Sequence, residues 1–218
     1  MKAKLTCLLV ASLLVFTAFK ERPEDKFKLK KTFTENYAFI PQGTVTIDGE
    51  KVETQAFYML RTELSNLHYR EFLERISETE AEQNEIQSEK WEEAFNYTSP
   101  YKEHYHTHPA YENYPVGNVT KENAEAYCAW LTEHYTKKDI GLPEGYKIVF
   151  RLPTRAEWVN AANGELKGPY AWGGPFVRNA VISFLANFRV YGAENTWSRQ
   201  DSTVISPNQP SAVFQYIQ

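Results

Sequence analysis

Three histidines on alternate residues, His104, His106 and His108 in the stretch "HYHTH", make the closest set of imidazoles in the chain. On an extended strand alternate side chains face one way, so three rings could converge as zinc or copper sites require. Adjacent alternate positions lie about 7 Å apart, however, too far for all three to reach one ion without a bend. His108 also opens the segment "HPAY", where a purely structural role suffices. The competing reading is a solvated loop. The sulfur inventory is smaller still: Cys7 and Cys128 are the only cysteines. A reactive thiol needs an electropositive, exposed setting. Cys7 lies in an apolar run and Cys128 among apolar neighbours at helical spacing, so Cys128 is expected to be a packed thiol.

The elements around these residues are partly legible. Thr120 precedes Ala124, Tyr127, Cys128, Leu131 and Tyr135, one apolar stripe of a capped helix. Ser65 caps a second helix carrying Tyr69, Phe72, Leu73 and Ile76. Asp48-Gly49, between "TVTI" and "KVETQAFYM", predicts a β-hairpin. Residues 74–100 are rich in glutamate and read as a solvated acidic insertion. "YKIVF" (146–150) predicts a short strand. It leads into "RLPTRAEW", where Thr154 and Glu157 form a capping box, Pro153 can staple onto Trp158, and Asn163-Gly164 ends the helix. Beyond Gly164, aromatic residues punctuate Gly-, Asn- and Ser-rich turns with little regular pattern.

With 218 residues, 42% hydrophobic and 15% aromatic, the chain is long enough to bury a sizeable core in one domain. A net charge of −4 gives no basic footprint, which argues against nucleic acid as a partner. Lys2 and Lys4 precede an apolar run from Leu5 to Phe19 that is short for a membrane span. Residues 1–19 therefore read as a secretory signal or an uncleaved N-terminal anchor, residues 20–36 as a charged linker, and 37–218 as the folded domain. The expected location is exported, in a periplasm or at a cell surface, with membrane contact only through an uncleaved N-terminal segment. Once a signal is removed, Cys128 has no partner for an internal disulfide.

Taken in order, "FIPQGTVTIDG", "FYMLRTELSNLHYREFL", "HPAYENYPVGNVTKENAEAYCAWL", "RLPTRAEW", "YAWGG" and "ANF" resemble the formylglycine-generating enzyme, or sulfatase-modifying factor, family. The likeness runs from about Phe39 to Pro207, and the insertion before "HPAY" further resembles gliding-motility and secretion lipoproteins of Bacteroidetes in that family. The resemblance implies a compact α+β fold, related to C-type lectin-like domains and with little regular secondary structure. Enzymes of the family oxidise a cysteine of a client sulfatase to formylglycine with oxygen and a copper held by two cysteines. Others are binding modules without catalysis. A calcium ion in the family maps onto Asn187, Phe188, Asp201 and Thr203, oxygen donors suited to a hard cation. Thr203 departs from the apolar residue usual there.

The family's copper-binding cysteines follow a G-N-x-W-E-W segment, and neither Cys7 nor Cys128 matches them. Calcium is thus the expected cofactor, and copper is not. The resemblance leaves two readings. One is a fragment, with an incomplete fold, of an enzyme active only when whole. The other is a non-catalytic envelope scaffold or ligand-binding module, partnered by a protein client or by a gliding-motility or secretion complex.

Overall fold

Asp48 and Gly49 both have positive φ, 53° and 90°, as the tight turn between twisted antiparallel strands requires. They join β2 (Gly43–Ile47) to β3 (Glu50–Thr54), with Val45 opposite Val52. This hairpin is nested inside a second antiparallel pair, β1 (Tyr37–Ile40) with β4 (Phe57–Leu60), where Tyr37 faces Leu60. The computed structural model describes residues 29–94, 99–164, 166, 168, 170–178, 185 and 186. Among them the strands form two separate two-stranded sheets.

A two-stranded sheet is marginal alone and needs a covering layer. For β2 and β3 that layer is α7 (Arg155–Asn163). Their approach is close enough that a Cβ at Gly43 would stand 2.3 Å from Asn160 Oδ1. Asn160 in turn donates from Nδ2 to the Pro41 carbonyl at 3.0 Å. Arg155 clamps the turn itself, its guanidinium meeting both oxygens of Asp48 at 2.6 and 3.0 Å.

The sheet of β1 and β4 packs against α1 (Lys31–Thr34) and α6 (Lys121–Thr136) through a core of Phe33, Tyr37 and Ile140. Of the stretch read as a linker, the structure describes residues 29–36, and part of these is packed. Phe33 is only 3% exposed, and the Lys30 amide donates to the Ile140 carbonyl at 2.9 Å. One large apolar residue amid charged neighbours sets up no periodicity, so its burial left no pattern to read.

The glutamate-rich insertion divides in two. α3 (Glu78–Gln83) is a solvated helix with a Ser77–Glu80 capping box, as expected. The next part is packed. α4 (Lys90–Ala94) and α5 (Ser99–His104) close over Trp91 and Tyr105, 8% and 1% exposed, and onto α2 (Asn66–Arg75). Ser65, Thr120 and Thr154 cap α2, α6 and α7 as their positions predict.

The strand expected at Tyr146–Phe150 is absent. Those residues pair with no strand, and the Phe150 amide bonds the Thr132 hydroxyl at 2.8 Å instead. Val149 stays 70% exposed. No helix among the described residues is long and apolar enough to cross a membrane. The mixture of short helices and small sheets is the α+β class with modest regular structure.

Replacing Phe33 with Ala should destabilise the chain by about 3 kcal/mol or more, the usual range for a buried aromatic. Urea unfolding of the wild type and variant measures this, and a loss below about 1 kcal/mol would return the segment to linker status.

Candidate functional site

The apolar stripe of α6 does not end in a closed core. Ala124, Tyr127, Cys128, Leu131 and Tyr135 are all half-buried, because they form one wall of a groove of about 1160 Å³. The wall opposite is β1 and β4, with Tyr37 and Tyr58, and Ile148 and Phe150 extend the lining. Rings hold these walls: Tyr37 lies 5.5 Å from Phe150, and Tyr135 4.9 Å from Phe150, centroid to centroid. Polar groups at the lining include Arg61, Glu63, His68 and Arg151.

Cys128 is the chemical centre of interest, and its surroundings silence it. Burial raises the thiol pKa, and Glu125 pushes it further the same way. No cation among the described residues opposes them, so the sulfur stays protonated at neutral pH and is a poor nucleophile and metal ligand. The phenols of Tyr37 and Tyr127 are likewise pushed up, by burial first. The groove is built to bury apolar surface. A copper(I) site asks for soft sulfur donors. Cys128 is the only cysteine among the described residues, so these residues do not fit copper.

Two of the histidines of "HYHTH" come near each other, the His104 and His108 rings 6.2 Å apart, while His106 is buried apart from them. The segment is the end of α5 and a turn, not an extended strand. His106 is 5% exposed with Nε2 on the Gly117 carbonyl at 3.2 Å, whereas the His104 side chain is 56% exposed. His108 caps the 3-10 helix Pro109–Tyr111, its Nδ1 accepting from the Ala110 amide at 3.1 Å. That bond places the proton of neutral His108 on Nε2, so neither nitrogen is free for a metal without breaking the cap. No three His, Cys, Asp or Glu side chains among the described residues are grouped to hold an ion. Asn187, Phe188, Asp201 and Thr203, the calcium residues implied by resemblance, lie outside the described residues.

"RLPTRAEW" carries more than its spacing reveals. Thr154 and Glu157 complete the capping box, with the Glu157 amide donating to Thr154 Oγ1 at 3.2 Å and Glu157 Oε2 accepting the Thr154 amide at 2.8 Å. Arg151 adds a fork to the same carboxylate, at 2.7 and 2.5 Å. These bonds, those from Arg151 foremost, hold the Glu157 pKa down at about 2. The staple is weaker than expected, since Trp158 remains 57% exposed. The arginine fork was missed because nothing in a capping box specifies an arginine three residues before it. Such a fixed, fully bonded carboxylate anchors one end of the groove and is not free for acid–base work.

The family described as the sulfatase-modifying factor enzyme 1-like domain matches residues 23–212. The chain belongs to this family. A curated relative, the inactive C-alpha-formylglycine-generating enzyme 2 of Bos taurus, is 36% identical over 76 residues, 34% of this chain. The match spans only 20% of that relative's own length. No solved structure matches.

Glu157→Gln should lower stability by about 2 kcal/mol, from the lost charge-assisted bonds of a carboxylate that is nearly buried. Arg151 is half in solvent, which keeps the loss at that modest level. Because the folded pKa is depressed, the contribution is present above pH 4.5 and is lost as pH falls toward 2. Urea denaturation at pH 7 and pH 3 should show the gap between wild type and variant narrowing at the lower pH. An equal gap at both would refute the assignment.

Proposed function

We propose that this chain is an exported domain of the sulfatase-modifying factor family that binds a protein partner and does not itself oxidise cysteine. The observation that carries this reading is the state of Cys128. It is the one described cysteine, it is half-buried, and its thiol is kept protonated by burial and by Glu125. Formylglycine formation removes the sulfur of a substrate cysteine by oxidation with oxygen. A lone protonated thiol offers no pair of sulfur ligands for the metal such chemistry uses in the family. The bovine relative is named as an inactive enzyme, which supports that reading. An apolar, aromatic-lined groove of about 1160 Å³ suits recognition of a polypeptide better than it suits proton transfer.

The chain should be co-expressed with a sulfatase-derived peptide containing the target cysteine, with and without added copper. The peptide should then keep its thiol, seen as no aldehyde-reactive product in mass spectrometry. Copper-dependent aldehyde on the peptide would overturn the proposal.

Export rests on the order of the N-terminus, Lys2 and Lys4 before the apolar run Leu5–Phe19. Deleting residues 1–19 should hold the chain in the cytoplasm on cell fractionation, whereas the full chain leaves it. Equal distribution of the two forms would exclude a role for this segment in export.

A further inference from the structure

The segment "HYHTH" has a role that metal binding does not explain. His106 points inward, against the rest of the acidic insertion's second half, and is 5% exposed. Its Nε2 faces the Gly117 carbonyl at 3.2 Å. A carbonyl can only accept, so Nε2 carries the proton of the neutral ring. Nδ1 is buried with no hydrogen-bond partner among the described residues. The ring is packed edge-on against Tyr105, 4.9 Å between centroids at 90°, and lies 6.3 Å from Trp91.

We propose that His106 is an acid-sensitive latch, which while neutral fastens α4 and α5 to the loop at Gly117 and on protonation releases them from the body of the domain. Neutral imidazole leaves one nitrogen lone pair unfilled, which costs little. Imidazolium would place a second N–H, and a charge, where no acceptor stands, a far larger penalty.

Among the described residues, no neighbouring group supplies a counter-charge. On α2, the Arg70 guanidinium donates to the carbonyls of His106 and Thr107 at 3.3 and 2.8 Å and is itself paired with Glu112 at 2.8 Å. The nearest charged side chain on α2 is thus a cation. On α4 and α5, Glu92 pairs with Lys102, and Glu103 lies beside the exposed His104. The Tyr105 phenol donates to the Pro115 carbonyl at 2.6 Å, and burial raises its pKa. Tyr101, on α5, is raised by burial too, then by Tyr111 and Tyr114.

Burial lowers the pKa of His106 to about 4, with the Gly117 bond opposing it only in part. Above pH 6.5 the ring is neutral whether the segment is docked or released. Between pH 6.5 and 4 the released ring takes up a proton that the docked one refuses, so each unit of acidification favours release by up to about tenfold. Across that window the shift amounts to roughly 300-fold. The contacts that would give way are those converging on the segment: Asn66 Nδ2 on the Tyr105 and Tyr111 carbonyls at 2.9 and 3.0 Å, and the Trp91 and Tyr105 rings. The β2–β3 hairpin and α7 make none of them.

The test is a histidine-labelled NMR titration of the full chain, with amide hydrogen exchange followed over the same range. His106 should titrate well below pH 6, and the amides of Trp91, Tyr105 and His108 should exchange faster as it does, after correction for intrinsic rates. Amides of β2 and β3 should stay protected. In His106→Gln, which keeps a donor for Gly117 but does not titrate, the acid-dependent opening should vanish. Titration of His106 near pH 6.5 with the segment still closed would overturn the proposal. So would the same acid opening in His106→Gln. Should that variant fail to fold, the wild-type protein still decides, because titration and opening that do not coincide exclude the latch.

Discussion

Phe33 ties the paired strands β1 and β4 to α6 through ring contacts. Its ring stacks on Tyr37 at 4.5 Å and meets Tyr58 and Tyr135 edge-on at 5.6 and 5.9 Å. Those three rings belong to β1, β4 and α6 respectively. The four described strands are short and form two separate pairs, so among the described residues no continuous ladder forms. Aromatic side chains take over that task. Each buries a large area and fixes a geometry through its quadrupole, which a smaller apolar residue does not. The same solution recurs twice. Tyr69, Phe72, Tyr127 and Trp130 tie α2 to α6, and Trp91, Tyr101, Tyr105 and Tyr111 tie the insertion together.

This constraint explains which parts could be read in the sequence. Caps and turns depend on neighbouring residues, so Ser65, Thr120, Thr154 and Asp48-Gly49 declared their elements in advance. Ring clusters depend on residues far apart in the chain and leave no period. Phe33 looked like part of a charged linker, and Trp91 like part of a solvated acidic arm, for that reason. The motif order was enough to place the chain in the sulfatase-modifying factor family. It was not enough to find the groove, because an apolar stripe on α6 has the same pattern whether it faces a filled core or an open cleft. The fate of the histidines was hidden in the same way. Alternation implied a common face only if the backbone was extended, and a helix end with a turn sends His106 inward and its neighbours out.

The strand that failed to form at Tyr146–Phe150 belongs to the same picture. Its sequence has the alternation and β-branched content of a strand, but a strand requires a partner ladder. Thr132, on α6, takes the Phe150 amide in place of one. The segment is held at Phe150 by that bond and at Tyr146 by its amide on the Pro143 carbonyl at 3.2 Å, and Val149 and the Tyr146 ring are exposed. That exposure and the groove go together: among the described residues, the wall carrying Phe150 meets α6 through rings and the Thr132 hydroxyl.

A division of labour follows between the two ends of the fold. At the α7 end, charge is satisfied locally: Arg151 with Glu157, Arg155 with Asp48, each side chain with its partner in reach. At the insertion end, polar groups are buried with donors and acceptors left over, Asn66 Oδ1, His106 Nδ1 and Asn118 Nδ2 among them. A buried network that is only partly satisfied is the more sensitive to a change in protonation. The motif "RLPTRAEW" therefore anchors a rigid frame, whereas "HYHTH", with its one inward ring, sits where the domain is easiest to open. The capacity for change and the family signature occupy different ends of the molecule, which is why recognising the signature revealed nothing of the change.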